Sequence, residues 1–185
     1  VRAYEDFSTA IRTNREDPDG YNRRGALYMA QERYNDACND FDMAVKCDTT
    51  FLPGYFNRAL THSYLHRPMQ SLSDFDRVIA LDSTSALGYF NRAIVRTEIG
   101  DYNRALEDFN RVATLSPDNV LVYYNRAMLH TRLGDIRAAI DDYSRAIELY
   151  PDFANAYLGR SLLRRSQRDV AGAERDRLMA ERKIA

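Results

Sequence analysis

Apolar and small residues return along this chain at a spacing of 34 residues. The stretch from Tyr89 to Pro117 reads YFNRAIVRTEIGDYNRALEDFNRVATLSP, and closely related text begins at Tyr55 and at Tyr123. Each copy reads as one helix, a turn and a second helix, with the turn at Gly100-Asp101 in this copy. Glycine can close a helix in the left-handed conformation, and aspartate can cap the next helix. A period of this length indicates an array of stacked units rather than one globular core.

Alignment of the copies on their shared tyrosine divides the chain into five repeats. The tyrosine is the fourth residue of each repeat, positions eight and twenty are small, and position 24 is aromatic in the first four repeats. Small residues let two helices approach closely, and the aromatic ring fills the space beside them. This pattern predicts a packed helix pair and carries no chemistry. Repeats 1 to 5 comprise residues 18–51, 52–85, 86–119, 120–153 and 154–185.

The two ends of the chain differ from the middle. Residues 1–16 fit the second helix of a truncated repeat, so we expect the chain to be a fragment of a longer protein; a lone capping helix is the alternative. In repeat 5, Arg177 stands where the other repeats have an aromatic residue, which predicts a degenerate, solvent-facing C-terminal cap. The residues that place 1–16 in register are Ala3, Asp6, Phe7 and Ala10.

These positions resemble the tetratricopeptide repeat (TPR) family, whose pattern is an aromatic, Leu-Gly, a second aromatic, then Ala, Phe, Ala and Pro within 34 residues. The resemblance covers essentially the whole chain. It implies an all-α fold, a right-handed α-solenoid of antiparallel helix hairpins forming a TPR superhelix. The chain departs from the family pattern with Tyr instead of Trp at position four and Arg instead of Leu at position seven. Thr49 and Ser83 replace the closing proline in the earlier repeats.

Position seven is arginine and position 23 is aspartate in every repeat. The arginine shares a helix face with the tyrosine at position four, where an unpaired charge would be costly. We therefore predict an ion pair inside each hairpin, with a bidentate geometry available to it. Binding of an anionic ligand by the arginines is the alternative. The predicted structural pairs are Arg24–Asp40, Arg58–Asp74, Arg92–Asp108, Arg126–Asp142 and Arg160–Asp176, and Asp6 has the same position without an arginine partner.

The opposite face of each first helix is predicted to line a concave groove. Asparagine at position six lies there between apolar residues at positions five and nine. A row of amides can bind the backbone of an extended peptide, and the TPR resemblance implies that role. Packing and helix surface alone are the alternative. The predicted groove residues are Phe56, Asn57 and Leu60 in repeat 2, Phe90, Asn91 and Ile94 in repeat 3, and Tyr124, Asn125 and Met128 in repeat 4.

Composition and motifs argue against several other classes of function. A net charge of −1 does not suggest a nucleic-acid binder, and no apolar run approaches the roughly 20 residues of a membrane span. His62 and His66 have the i, i+4 spacing of a metal pair, but no adjacent ligand completes a set. No phosphate-binding loop or nucleophile motif is present. We expect no enzymatic activity, no cofactor and no metal.

The sequence thus predicts a non-catalytic scaffold for protein–protein interaction, with an extended peptide or a partner helix in its groove. The alternative is a structural spacer or oligomerisation module in a larger protein. Cys38 and Cys47 lie about 13 Å apart on one predicted helix, too far for a disulfide, and so slightly favour a cytoplasmic location. An exported location stays open because the chain starts in mid-repeat, and the partner and oligomeric state are left open.

Overall fold

The computed structural model describes residues 3–5, 8 and 17–185. Residues 17–185 form ten helices and no strand, and residues 3–5 and 8 are also helical. The predicted all-α fold is therefore confirmed. Asp6, Phe7 and Ala10, on which the predicted truncated repeat depends, lie outside the described residues. The helices are α1 Pro18–Ala30, α2 Tyr34–Cys47, α3 Leu52–Tyr64, α4 Pro68–Leu81, α5 Ala86–Glu98, α6 Tyr102–Leu115, α7 Val120–Leu133, α8 Ile136–Leu149, α9 Ala154–Ser166 and α10 Val170–Ile184.

Local capping chemistry sets several helix ends. Asp17 is the N-cap of α1, and its Oδ1 accepts a hydrogen bond from the backbone N of Asp19 at 3.0 Å. Pro18 occupies the first helical position, where its missing N–H leaves no bond unmade. Helix α7 ends at Leu133, and its C-cap Gly134 has a φ of +81°, the left-handed conformation that glycine adopts without strain. These helix ends follow from short-range sequence signals.

The first compact unit, Val1–Ile99, contains α1 to α5. Helices α1 and α2 pack as a pair, as do α3 and α4, while α2 packs on α3 and α4 packs on α5. Phe41 and Phe75 lie fully buried at position 24 of their repeats. A Cβ at Gly25 would lie 2.6 Å from the ring of Phe41. The glycine at position eight therefore lets α1 approach α2 closely.

The second compact unit, Gly100–Ala185, contains α6 to α10, so repeat 3 is divided between the two units. Helices α7 and α8 form one pair and α9 and α10 another, with α6 against α7 and α8 against α9. The ring of Tyr143 occupies the space that a Cβ at Gly159 would need. This contact explains why repeat 5 has glycine at position six, where repeats 2 to 4 have asparagine.

Helix α10 shows what replaces the aromatic of repeat 5. Arg177 makes ion pairs with Glu174 and Glu181 of its own helix, and its side chain is 40% exposed.

None of the described helices combines the length and the apolar character that a membrane crossing would require.

Candidate functional site

Four arginines at position seven each bind the aspartate of their own hairpin through two hydrogen bonds. In repeat 2, Arg58 Nε donates to Asp74 Oδ2 at 2.9 Å and Nη2 donates to Oδ1 at 2.7 Å. The Asp74 side chain is only 7% exposed. Its two bonds raise the pKa of Arg58 above the ordinary arginine value, against the opposing effect of burial. The structure brings together Arg24–Asp40, Arg58–Asp74, Arg126–Asp142 and Arg160–Asp176 in this way.

The fifth predicted pair, Arg92 with Asp108, would join residues of different units and stays a prediction. Within the first unit, Arg92 Nη1 donates to Asp76 Oδ1 at 2.8 Å. Asp76 is on α4, in the repeat that precedes Arg92.

The same reach to the preceding repeat recurs at other arginines. Nη1 of Arg58 donates to Asp42, that of Arg126 to Asn110 and that of Arg160 to Ser144, at 2.9, 3.1 and 3.0 Å. The acceptors all occupy position 25 of their repeats, but they are aspartate, asparagine or serine. Arg58, Arg126 and Arg160 each therefore join their own hairpin to the second helix of the repeat before it.

The tyrosine at position four supports the arginine and explains two departures from the family pattern together. The guanidinium of Arg58 lies 5.6 Å from the ring centre of Tyr55, within the range of a cation–π contact. Tyr55 Oη donates to the backbone O of Thr49 at 3.0 Å, a bond that a tryptophan could not make in the same way. Tyr123 makes the equivalent bond to Pro117 in repeat 4. The tyrosine at position four and the arginine at position seven thus pack together, so the two departures from the family pattern are linked.

Position eleven contributes a third polar group beside two of these ion pairs. His62 Nε2 lies 3.8 Å from Asp74 Oδ2, and His130 Nε2 lies 3.7 Å from Asp142 Oδ2. Burial is the main cause that lowers the pKa of His62, and the carboxylate of Asp74 opposes it. In the part of the chain that the structure describes, no group of three or more metal-ligating side chains occurs.

The predicted groove residues of repeat 2 lie on α3 and are half-buried. The Phe56 ring meets the ring of Phe75 edge-on, with 5.9 Å between their centres. Phe56 and Leu60 both pack on the core cluster that contains Phe75 and Val95. Asn57 Nδ2 donates to Asn22 Oδ1 at 3.0 Å. Phe56 and Leu60 therefore pack on the core with one part of the side chain and expose the rest at the surface.

Asn91 on α5 has a different local bond. Its Nδ2 donates to the backbone O of Leu87, one turn earlier, at 2.8 Å, and this bond is exposed. Leu87 itself is 64% exposed, whereas Phe90 and Ile94 are half-buried. Between α3 and α5 lies an open depression of about 240 Å³, lined by Leu52, Pro53, Phe56, Asn57, Ser85 and Leu87.

In the second unit, α7 carries the predicted groove residues of repeat 4. Asn125 Nδ2 donates to the backbone O of Leu121 at 2.8 Å, which repeats the geometry of Asn91. The Tyr124 ring lies 4.7 Å from that of Phe153, measured between centres. Met128 is 38% exposed. Each unit thus presents an asparagine beside apolar surface on a first helix.

Family models described as tetratricopeptide repeat match residues 56–120 and residues 120–153. Together they cover more than half of the 185 residues. The chain belongs to the tetratricopeptide repeat family. No curated protein sequence matches it. TPR proteins are generally non-catalytic scaffolds, and membership of the family indicates protein–protein interaction as the general class of function.

Solved TPR structures share the fold at low sequence identity. MamA has a TM-score of 0.83 at 19% identity, over 86% of this chain and 94% of MamA. YrrB, described as a TPR protein with an unusual peptide-binding site, has a TM-score of 0.82 at 16% identity, over 98% and 93% of the two chains. PilF of Pseudomonas aeruginosa has a TM-score of 0.80 at 17% identity, over 90% and 76%. These similarities show the fold, the α-solenoid of TPR proteins.

Two positions of the TPR repeat escaped the sequence reasoning. In repeats 1 to 4, position 25 is Asp42, Asp76, Asn110 or Ser144, and the property that these side chains share is that each can accept a hydrogen bond. Position 34 varies in size, from Ser85 to Phe153, and Ser85 lines the depression beside α3. A search for shared hydrogen-bonding capacity, rather than shared residue type, would have found position 25.

Proposed function

We propose that this chain is a TPR scaffold that binds an extended peptide segment of a protein partner on the face of its first helices. The observation that carries the proposal is the arrangement on α3 and α5 of the first unit. There the amides of Asn57 and Asn91 lie beside the apolar side chains of Phe56 and Leu87. Amides match the polar backbone of a peptide, and the apolar neighbours match its side chains.

The geometry of Asn91 prepares it for this role. The bond from its Nδ2 to the Leu87 carbonyl holds the side chain in one rotamer. A side chain that is already ordered loses less entropy when a ligand binds. Its amide oxygen then accepts a hydrogen bond from a peptide N–H. Asn125 makes the same bond on α7, so we propose the same role for it in the second unit, considered by itself.

The charges on this face favour recognition of a peptide backbone over recognition of a terminal carboxylate. Positions two and five carry no basic residue in any repeat. Arg132, at position 13 of repeat 4, donates through Nη1 to Tyr102 Oη at 3.0 Å. Arg23 is exposed on α1. A partner segment from inside a protein chain suits this surface better than a C-terminus. YrrB, with its peptide-binding site, supports the general mode.

The experiment selects ligands from a phage-displayed library of random dodecapeptides and measures their affinity for the full chain by fluorescence polarisation. The test variant is Asn57→Ala with Asn91→Ala. Loss of two backbone hydrogen bonds should weaken binding about tenfold or more. Asn39→Ala is the matched control, because Asn39 is an exposed asparagine on α2, away from this face. It should bind within about twofold of the parent.

The proposal fails if the double variant keeps its helical circular dichroism and binds the selected peptides as the parent does.

A further inference from the structure

Position 34, which precedes the first helix of the next repeat, changes in size along the chain. Its occupants are Phe51, Ser85, Asn119 and Phe153, and each is the N-cap of the helix that follows. The two phenylalanines make no side-chain capping bond, whereas Ser85 Oγ accepts from the backbone N of Gly88 at 3.1 Å. The fold thus accepts either a small capping residue or a large ring at this position.

Where position 34 is a phenylalanine, its ring packs on the protein. In the second unit, Phe153 is half-buried, and its ring centre lies 4.7 Å from that of Tyr124, the residue at position five of repeat 4. It lies 5.9 Å from the ring of Tyr150 as well. In the first unit, Phe51 packs on the core cluster of Tyr21 and Ala44. The fold therefore accommodates an aromatic ring at position 34.

Ser85 leaves that space open in repeat 2. The depression of about 240 Å³ lies beside Ser85 and is lined mainly by apolar side chains. One of them is Phe56, which holds position five of repeat 2, as Tyr124 does in repeat 4. An enclosed apolar cavity of about 150 Å³ is enough to bind benzene, so this larger, open depression has room for a phenyl ring. Leu87, 64% exposed at its edge, offers apolar surface that such a ring would cover.

We propose that the depression beside Ser85 is a specificity pocket for an aromatic side chain of the bound peptide. This inference rests on the proposed function and adds to it the kind of residue that the peptide must carry. Asn57 lines the depression and also belongs to the predicted peptide-binding residues. A peptide whose backbone is bound by Asn57 can therefore place one of its side chains in the depression. The ring meets Phe56 as the ring of Phe153 meets Tyr124, in the tilted or offset geometry that aromatic pairs prefer.

The test variant is Ser85→Phe, which fills the pocket with the residue that the chain itself uses at 51 and 153. Ser85→Ala is the matched control, because it removes the same capping hydroxyl and leaves the space empty. Ligands are dodecapeptides selected on the parent chain from the phage library, together with versions in which the aromatic residue is replaced by alanine. A second probe pair is N-acetyl-phenylalanine amide and N-acetyl-alanine amide, titrated by NMR against the full chain.

We expect the selected peptides to share a Phe, Tyr or Trp, and Ser85→Phe to weaken their binding about tenfold or more, as expected for an anchor residue. Ser85→Ala should bind within about twofold of the parent. The phenylalanine amide should shift the backbone signals of residues 52–57 and 85–87 in the parent and in Ser85→Ala, and should not shift them in Ser85→Phe.

The pocket is refuted if Ser85→Phe binds as the parent does, or if replacing the peptide's aromatic residue leaves affinity unchanged. In that event a loss of binding in the Asn57→Ala, Asn91→Ala variant would still support the proposed function. If that variant also binds as the parent does, the proposed function fails with it.

Discussion

Arg58 donates through Nη1 to Oδ1 of Asp42, at 2.9 Å, in the second helix of the preceding repeat. The other edge of the same guanidinium holds Asp74 in its own hairpin. One side chain therefore connects α2, α3 and α4. The stability of a repeat protein is roughly the sum of terms within repeats and terms between neighbours, and this arginine contributes to both.

Replacement of Arg58 by leucine should lower the free energy of unfolding by about 3 kcal/mol, because it leaves the buried carboxylate of Asp74 without its partner. Urea denaturation followed by circular dichroism measures the change. The double variant Arg58→Leu, Asp74→Leu should recover much of the loss, since it removes both buried charges. Asp42→Ala is the control for the contact between repeats. Its side chain is 40% exposed, so that change should cost no more than about 1 kcal/mol. An unchanged midpoint in Arg58→Leu would disprove a stabilising role.

His62 should make stability depend on pH below neutrality. Burial lowers its pKa below 6.5, so between the lowered value and 6.5 the unfolded chain binds more protons than the folded chain. The free energy of unfolding should therefore fall as the pH drops through this window, with a slope of at most about 1.4 kcal/mol per pH unit from this group. Urea midpoints from pH 7.5 to pH 5 measure the slope, which should be shallower in His62→Gln. Equal slopes in both proteins would contradict the assignment.

The two cysteines should differ in reactivity in the folded chain. Cys38 is buried, 3.9 Å from His62 through its sulfur, and burial raises the pKa of its thiol. Cys47 is only half-buried, and neither residue is in a disulfide. Iodoacetamide at pH 8 should label Cys47 at least about tenfold faster, because Cys38 needs local opening before it can react. Peptide mapping by mass spectrometry measures both rates. In urea the rates should converge, and faster native labelling of Cys38 would refute the prediction.

The turn between the two helices of each repeat contains a residue with positive φ. Gly134 has this conformation without strain, but Arg168 adopts φ +63° with a side chain. Arg168→Gly should therefore raise the free energy of unfolding by about 0.5–1 kcal/mol. Gly134→Ala should lower it by about 1 kcal/mol through the backbone alone, because an added Cβ would have no neighbour within 4 Å.

Arg168→Ala separates the relief of backbone strain from the loss of the arginine side chain. Thermal and urea unfolding of the three variants measure the effects. Arg168→Gly should be more stable than Arg168→Ala, and the reverse order would show that the turn carries no strain at this position.

Much of the fold could be read from local patterns. Pro18 and Pro68 mark first helical positions, and Gly134 closes a helix, as their chemistry predicts. The 34-residue period placed arginine and aspartate in two columns that face each other across a hairpin, and the structure brings Arg58 and Asp74 together. Such features are determined by the helical period and by the distance between two neighbouring helices alone.

Local patterns did not predict the third hydrogen bond that Arg58, Arg126 and Arg160 each make. Asp42, Asn110 and Ser144 are different residue types, and their link to the following repeat depends on the angle and offset at which the helices pack. The exposure of the predicted groove residues could be seen only in the structure, because a side chain such as that of Phe56 packs partly on the core and is partly exposed. Whether a partner uses them stays a prediction.

The sequence by itself determined that this protein is an array of helix pairs with a tyrosine, an arginine and an aspartate at regular positions in each pair. Periodicity carries that information because helical geometry is local and repeats with the chain. The tertiary structure decided which acceptor Arg58, Arg126 and Arg160 reach in the preceding repeat. It also decided that a depression lies beside Ser85, whereas the ring of Phe153 packs against Tyr124. Those outcomes depend on the size and reach of side chains from separate helices, and packing alone sets how such side chains meet.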